Sequence, residues 1–85
     1  MKNLEFDPAA FEDLAWWVRH DRKMALRIMG LIEEIQRDPF VGKGKPELLK
    51  HELAGCWSRR IDQEHRIVYQ VKEEKVRILA CRYHY

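Results

Sequence analysis

Apolar and polar positions change period twice along the chain. In "MKNLEF", Leu4 and Phe6 alternate with polar neighbours, which predicts a short first strand. Asp7-Pro8 follows, an N-cap residue with proline at the first helical position. Phe11, Leu14, Ala15 and Val18 then recur at helical spacing, predicting a helix from about Pro8 to Arg19. His20-Asp21 interrupts the pattern, and Asp21 can cap a second helix. In that helix Met24, Ile28, Leu31, Ile32 and Ile35 form the apolar stripe, with Arg27, Glu33, Glu34 and Arg37 on the wet side. Gly30 within it costs about 1 kcal/mol relative to alanine, so a close packing contact is expected there. Asp38-Pro39 ends the helix, leaving a helical hairpin.

Beyond Pro39 the pattern turns from helical to extended. "FVGKGKPE" is too rich in glycine, lysine and proline for regular structure, and it leads through "LLKHEL" to Gly55. Three strands are predicted after it, at about Trp57–Asp62, Arg66–Lys72 and Lys75–Tyr83, separated by the polar turns "QEH" and "KEEK". The order implies an α+β fold: an N-terminal strand and an α-helical hairpin packed on one face of a small, mainly antiparallel sheet.

The strands contain two alternating sets. Trp57, Ile61, Ile67, Tyr69, Val71, Leu79, Cys81 and Tyr83 are mostly apolar and are expected against the helices. Arg60, Arg66, Val68, Ile78, Arg82 and His84 form the other set. Opposed residues point the same way, so each set shares a face only with odd effective turns or a bulge. A plain two-residue turn at Glu73-Glu74 would instead place Arg66 opposite Cys81.

Composition narrows the picture. Eighty-five residues are expected to form one domain spanning 1–85, burying roughly 60–65% of the unfolded chain's surface. No apolar run approaches the ~20 residues that span a bilayer, and the start lacks the core of a signal peptide. A cytoplasmic protein without membrane contact is expected. Cys56 and Cys81 have no paired spacing, and His20, His51, His65 and His84 show no HxxxH, so neither a metal nor a cofactor is expected. Net charge is only +2, but residues 1–38 hold six Lys/Arg against eight Asp/Glu and residues 39–85 ten against six. A polyanion therefore suits the second half.

Arg60, Arg66 and His84 would meet on the open face, with the Lys43–Lys50 segment near its edge. A guanidinium pair can hold a phosphate, histidine can protonate a leaving oxygen, and a carboxylate such as Glu47 can take a proton. Those groups suffice for RNA cleavage, since RNA carries its own 2′-hydroxyl nucleophile. Taken singly, each has a plainer reading: His84 as a surface histidine, Arg59 and Arg60 as solvated or salt-bridged strand residues, Glu47 as a soluble loop carboxylate. "GKGK" lacks the spacing of a P-loop. Trp16, Trp17 and Trp57 suit core or interface roles better than base stacking, and Met24 and Met29 are packing residues. Composition and pattern do not decide between catalysis and binding.

The motifs "GKGKPE", "LKH", "WSRRI", "EHRIVY" and C-terminal "CRYHY" strongly resemble the YoeB family of toxin–antitoxin endoribonucleases, within the RelE/ParE toxin superfamily. The resemblance runs along nearly the whole chain and implies a RelE-like fold. It implies Glu47 as general base, Arg66 as transition-state stabiliser and His84 as general acid. Lys50 and Arg60 match positions associated with phosphate contact, and Tyr85 one associated with positioning the substrate. It further implies cleavage of mRNA in the ribosomal A site, a YefM/Phd-type antitoxin, homodimerisation, and operator DNA bound only through the antitoxin complex. From a different class, a non-enzymatic ParE-like binding toxin stands as the alternative, and it needs neither Glu47 nor His84.

Overall fold

The computed structural model describes residues 1–83. In chain order the elements are β1 (Asn3–Phe6), α1 (Pro8–His20), α2 (Arg22–Arg37), β2 (Glu47–Leu48), a 3-10 turn (His51–Leu53), β3 (Cys56–Arg60), β4 (Arg66–Val71) and β5 (Lys75–Ala80). The strands make one sheet ordered β1-β5-β4-β3-β2, antiparallel except for the parallel β1–β5 pair. Both helices pack on one face, giving the α+β architecture expected from the pattern.

Local chemistry explains the helix ends. Pro8 opens α1, but the Asp7 side chain does not cap it; its carboxylate instead binds Arg77, 2.6 Å from Nη2. Asp21 does cap α2, accepting from the Met24 N–H at 3.2 Å. The buried side of α2 follows the expected stripe, with Ala25, Ile28, Leu31, Ile32 and Ile35 out of solvent. In α1 the buried side is rotated: Ala10 and Trp17 are buried, whereas Phe11 and Val18 are exposed. Trp17 sets this rotation, because its indole combines a large apolar surface with an N–H that reaches the Cys81 carbonyl at 2.8 Å. Gly30 departs from expectation as well, since nothing lies within 4 Å of where its Cβ would be.

The β4–β5 register resolves the question of faces. Lys72 N–H bonds the Lys75 carbonyl across a two-residue turn, and Val71, Gln70 and Tyr69 pair with Val76, Arg77 and Ile78. Beyond them Val68 pairs with Ala80, so Leu79 is an extra residue on β5. The two-residue turn corrects two placements: Ile78, opposite Tyr69, is fully buried under the helices, and Leu79 packs with the opposite face. The bulge puts Ala80 on the same face as Leu79 and returns Cys81 to the helix side, where the thiol is fully buried and pushed up to about 12 by desolvation and by Asp13.

Among the described residues the interior carries one full charge. Arg59 is 0% exposed and points to the helix side of β3. Its Nη1 donates to Glu34 Oε1 (2.8 Å) and the Lys43 carbonyl (3.2 Å), and Nη2 to the carbonyls of Asp38 (2.6 Å) and Val41 (2.9 Å). Nε donates to the Tyr69 hydroxyl at 3.3 Å, which in turn donates to the Pro39 carbonyl at 2.6 Å. The loop from Asp38 to Lys43 is thus wrapped around one guanidinium, whose planar fork suits several carbonyls at once. The glycines of "GKGK" serve this wrap. Gly42 has φ +134° and a Cβ there would overlap the Glu34 carboxylate; Gly44 has φ +85° and lies against the Arg60 backbone.

Removing Arg59 strands buried carbonyls together with Glu34. Arg59→Ala is expected to lower unfolding free energy by about 3–5 kcal/mol in urea titration. The Lys43 N–H, opposed by burial and assisted by Arg59, holds the Glu34 carboxyl below its ordinary 4.5. A carboxyl depressed in the folded state stabilises it above the unfolded value and loses that contribution as pH falls. Stability should therefore fall below pH 4.5, and Glu34→Gln should flatten that loss in pH-dependent thermal melts.

Candidate active site

Register decides which polar side chains share the uncovered face of the sheet. Glu47 in β2 lies opposite Ser58 in β3, Ser58 opposite Val68 in β4, and Arg60 opposite Arg66. Residues two apart on a strand face the same way, so all five positions share this side. The side chains meet there: Arg66 Nη1 lies 3.6 Å from Glu47 Oε1 and donates to Ser58 Oγ at 3.4 Å. The Glu47 side chain is 60% exposed and that of Arg66 22%, so the carboxylate is open to an incoming group while the guanidinium is half sunk into the sheet.

A small apolar cluster floors this region. Leu49, Cys56 and Val68 are buried, with Leu53, Leu79 and Ala80 packed against them. The bulge adds Ala80 to it beside Leu79. Beside it, residues 47–53 line a cleft of about 430 Å³, with the exposed Lys50 on its wall. Arg60 also lines a second cleft, between α2 and the glycine loop, with Arg27, Glu34, Lys43 and Gly44. At the far edge of the sheet the charges are matched, Glu5 with Lys75 (3.3 Å) and Asp7 with Arg77 (2.6 Å).

Past β5 the chain leaves the sheet but stays pinned. Cys81 N–H donates to Asp13 Oδ2 (3.1 Å) and its carbonyl accepts from Trp17. Arg82 does not face the open side as its parity predicts; its guanidinium lies 3.7 Å from the centre of the Trp16 ring. Tyr83, expected in the buried layer, is 49% exposed, with φ +60°. Strand alternation ends at Ala80, so parity carries no information beyond it. Tyr83 N–H donates to His65 Nδ1 (2.6 Å) and its carbonyl accepts from the Arg66 N–H (2.7 Å). His84 and Tyr85, the remaining site residues expected from the sequence, lie outside the described residues.

Among the described residues no group of three or more His, Cys, Asp or Glu could hold a metal, and no helix is long and apolar enough to cross a membrane. A carboxylate beside a half-buried guanidinium can take a proton next to a bound anion.

Residues 6–85 match the family model described as YoeB-like toxin of bacterial type II toxin-antitoxin system. The chain belongs to the YoeB toxin family. Toxin YoeB of Mycobacterium bovis is 58% identical over the full length of both chains. The YoeB of a heterotetrameric YoeB–YefM toxin–antitoxin complex from Staphylococcus aureus superposes with a TM-score of 0.89 at 44% identity, covering 100% of this chain and 99% of that one. A YoeB dimer structure from the same organism gives a TM-score of 0.90 at 45% identity, covering 99% and 98%.

In this YoeB chain three polar residues escape a reading of the sequence. Ser58 shares parity with Arg60, so alternation places it beside Arg66, but only the β2–β3 register brings it between Arg66 and Glu47. Arg59 reads as an exposed strand arginine because its partners lie in a loop 16 to 21 residues away and on α2. His65 reads as a turn residue, yet it is buried against Trp17 and Tyr83.

Trp17→Phe keeps the ring but leaves the buried Cys81 carbonyl without its donor. A loss of about 1–3 kcal/mol is expected, measured by thermal or urea unfolding.

Proposed function

We propose that this toxin is a ribosome-dependent mRNA endoribonuclease that cuts in the A site without a metal. The observation that carries the reading is the meeting of Glu47 and Arg66 on the uncovered face, 3.6 Å apart, with Ser58 steadying the guanidinium. In this mechanism Glu47 takes the proton of the 2′-hydroxyl, and the 2′-oxygen attacks the adjacent phosphorus. Arg66 stabilises the charge that gathers on the phosphoryl oxygens, and Lys50 and Arg60 hold flanking phosphates. The bond from phosphorus to the 5′-oxygen breaks, His84 protonates that oxygen, and Tyr85 orients the substrate. The products are a 2′,3′-cyclic phosphate and a 5′-hydroxyl, and DNA, lacking the 2′-hydroxyl, does not react.

A net charge of only +2 supports dependence on the ribosome. So few uncompensated cations give little counterion release on free RNA, so presentation by the ribosome supplies the positioning that charge does not. The relatives solved with YefM and as a dimer support a YefM/Phd-type antitoxin and a homodimer. In this reading the antitoxin covers the active face, and operator DNA is bound through the antitoxin complex.

The purified chain added to a translation reaction should leave mRNA cut at the A-site codon, with cyclic-phosphate 3′ ends. Glu47→Gln should lower the cleavage rate about 10²- to 10⁴-fold and Arg66→Ala about 10²- to 10³-fold. Full cleavage by a Glu47→Gln, His84→Ala double variant would refute the mechanism. Growth arrest with intact mRNA would favour a ParE-like binding toxin.

A further inference from the structure

His65 is a buried histidine, 8% exposed, that the proposed chemistry leaves unused. It stands directly before Arg66 at the start of β4, and Asp62 Oδ1 fixes its backbone by accepting from the His65 and Glu64 N–H groups at 2.7 and 2.8 Å. Trp17 meets its ring edge-on with centroids 4.7 Å apart, so the imidazole has little freedom to turn. Its Nδ1 receives the Tyr83 N–H at 2.6 Å, and the Tyr83 ring lies over it at 4.8 Å. An imidazole nitrogen that accepts from a backbone N–H carries no proton, so the ring proton sits on Nε2. Glu64 Oε1, 3.6 Å from Nε2, favours that tautomer.

We infer that His65 is a positioning residue whose neutral imidazole clasps the Tyr83 backbone and fixes the point from which His84 follows. This rests on the proposed roles of His84 and Tyr85. The geometry makes the clasp two-sided: His65 takes the Tyr83 N–H while the neighbouring Arg66 N–H gives to the Tyr83 carbonyl. The strand that presents the Arg66 guanidinium therefore also sets the backbone one residue before His84. Protonation at Nδ1 replaces the acceptor with a donor facing the Tyr83 N–H and opens the clasp. Among the described residues, Glu64 and Asp62 on its own turn are the charged groups beside the ring; Arg27 from α2 faces Asp62 and binds the Ile61 carbonyl at 2.9 Å, and Arg82 lies over the Tyr83 ring.

Three substitutions and an NMR measurement test this. Asparagine places an oxygen acceptor near the Nδ1 position, glutamine places it farther out, and phenylalanine keeps the ring without an acceptor. His65→Asn should cleave ribosome-bound mRNA within about threefold of the parent chain. His65→Gln and His65→Phe should lose about 10- to 100-fold in the cleavage step with apparent KM little changed, as for a misplaced catalytic group. In the parent chain, ¹⁵N shifts should show the Nε2–H tautomer, and Tyr83 amide protection should vanish at the pH where His65 titrates. His65→Asn should keep that protection through the same range. An Nδ1–H tautomer, Tyr83 protection indifferent to His65, or full cleavage by His65→Phe would each overturn the inference. If the parent chain does not cleave RNA at all, the proposed function fails by itself, while the Tyr83 amide still decides whether the clasp exists.

Discussion

The buried Arg59 guanidinium is the constraint on which the uncovered face depends. A charge wholly removed from water is tolerated only when its donors are satisfied, and the five hydrogen bonds Arg59 donates to Glu34, Tyr69 and three loop carbonyls meet that demand. The outcome is a loop with no regular structure that nonetheless has one path, because its carbonyls converge on a single point. That path ends at Pro46, immediately before Glu47, so the carboxylate is delivered to the edge of β3 by an interaction on the other side of the sheet. One strand thus handles two tasks by alternation: Arg59 secures the loop beneath, while Ser58 and Arg60 line the face above.

The bulge at Leu79 does comparable work at the other end. Without an extra residue, Cys81 would pair on the opposite side and Arg66 would lose its place relative to the tail. With it, Ile78 and Cys81 both reach the core although they are an odd number of positions apart, and Ala80 joins Leu79 beneath the candidate site. Stability and site geometry are therefore served by a single irregularity in the ladder.

Much of the architecture is legible in the sequence because it follows from period and punctuation. Asp7-Pro8, Asp21 and Asp38-Pro39 mark the helix limits, and the α2 stripe from Ala25 to Ile35 is periodic enough to identify its buried side. The α1 rotation is less legible, since Phe11 and Val18 match Leu14 and Trp17 in apolarity and only the Trp17 hydrogen bond separates them. Residues whose roles come from distant partners are the hardest to read: Arg59 is set by a loop, and His65 by the tail. For the candidate site, parity along β3 and β4 groups Arg60 with Arg66 on one face, whereas the addition of Glu47 depends on β2 pairing with β3. The path after Ala80 obeys side-chain anchors rather than strand alternation, which is why Arg82 lies on Trp16.

The parallel pairing of β1 with β5 joins residues 3–6 to residues 75–78, so the first strand to be synthesised waits for nearly the last. A contact so far apart in sequence closes a loop of almost the entire chain, and β4 likewise gains one of its two neighbours only when β5 is present. A nascent chain still lacking its C-terminal segment has the helices and a partial meander but no closed sheet. The sheet is therefore completed only when β5 is available to both of its neighbours.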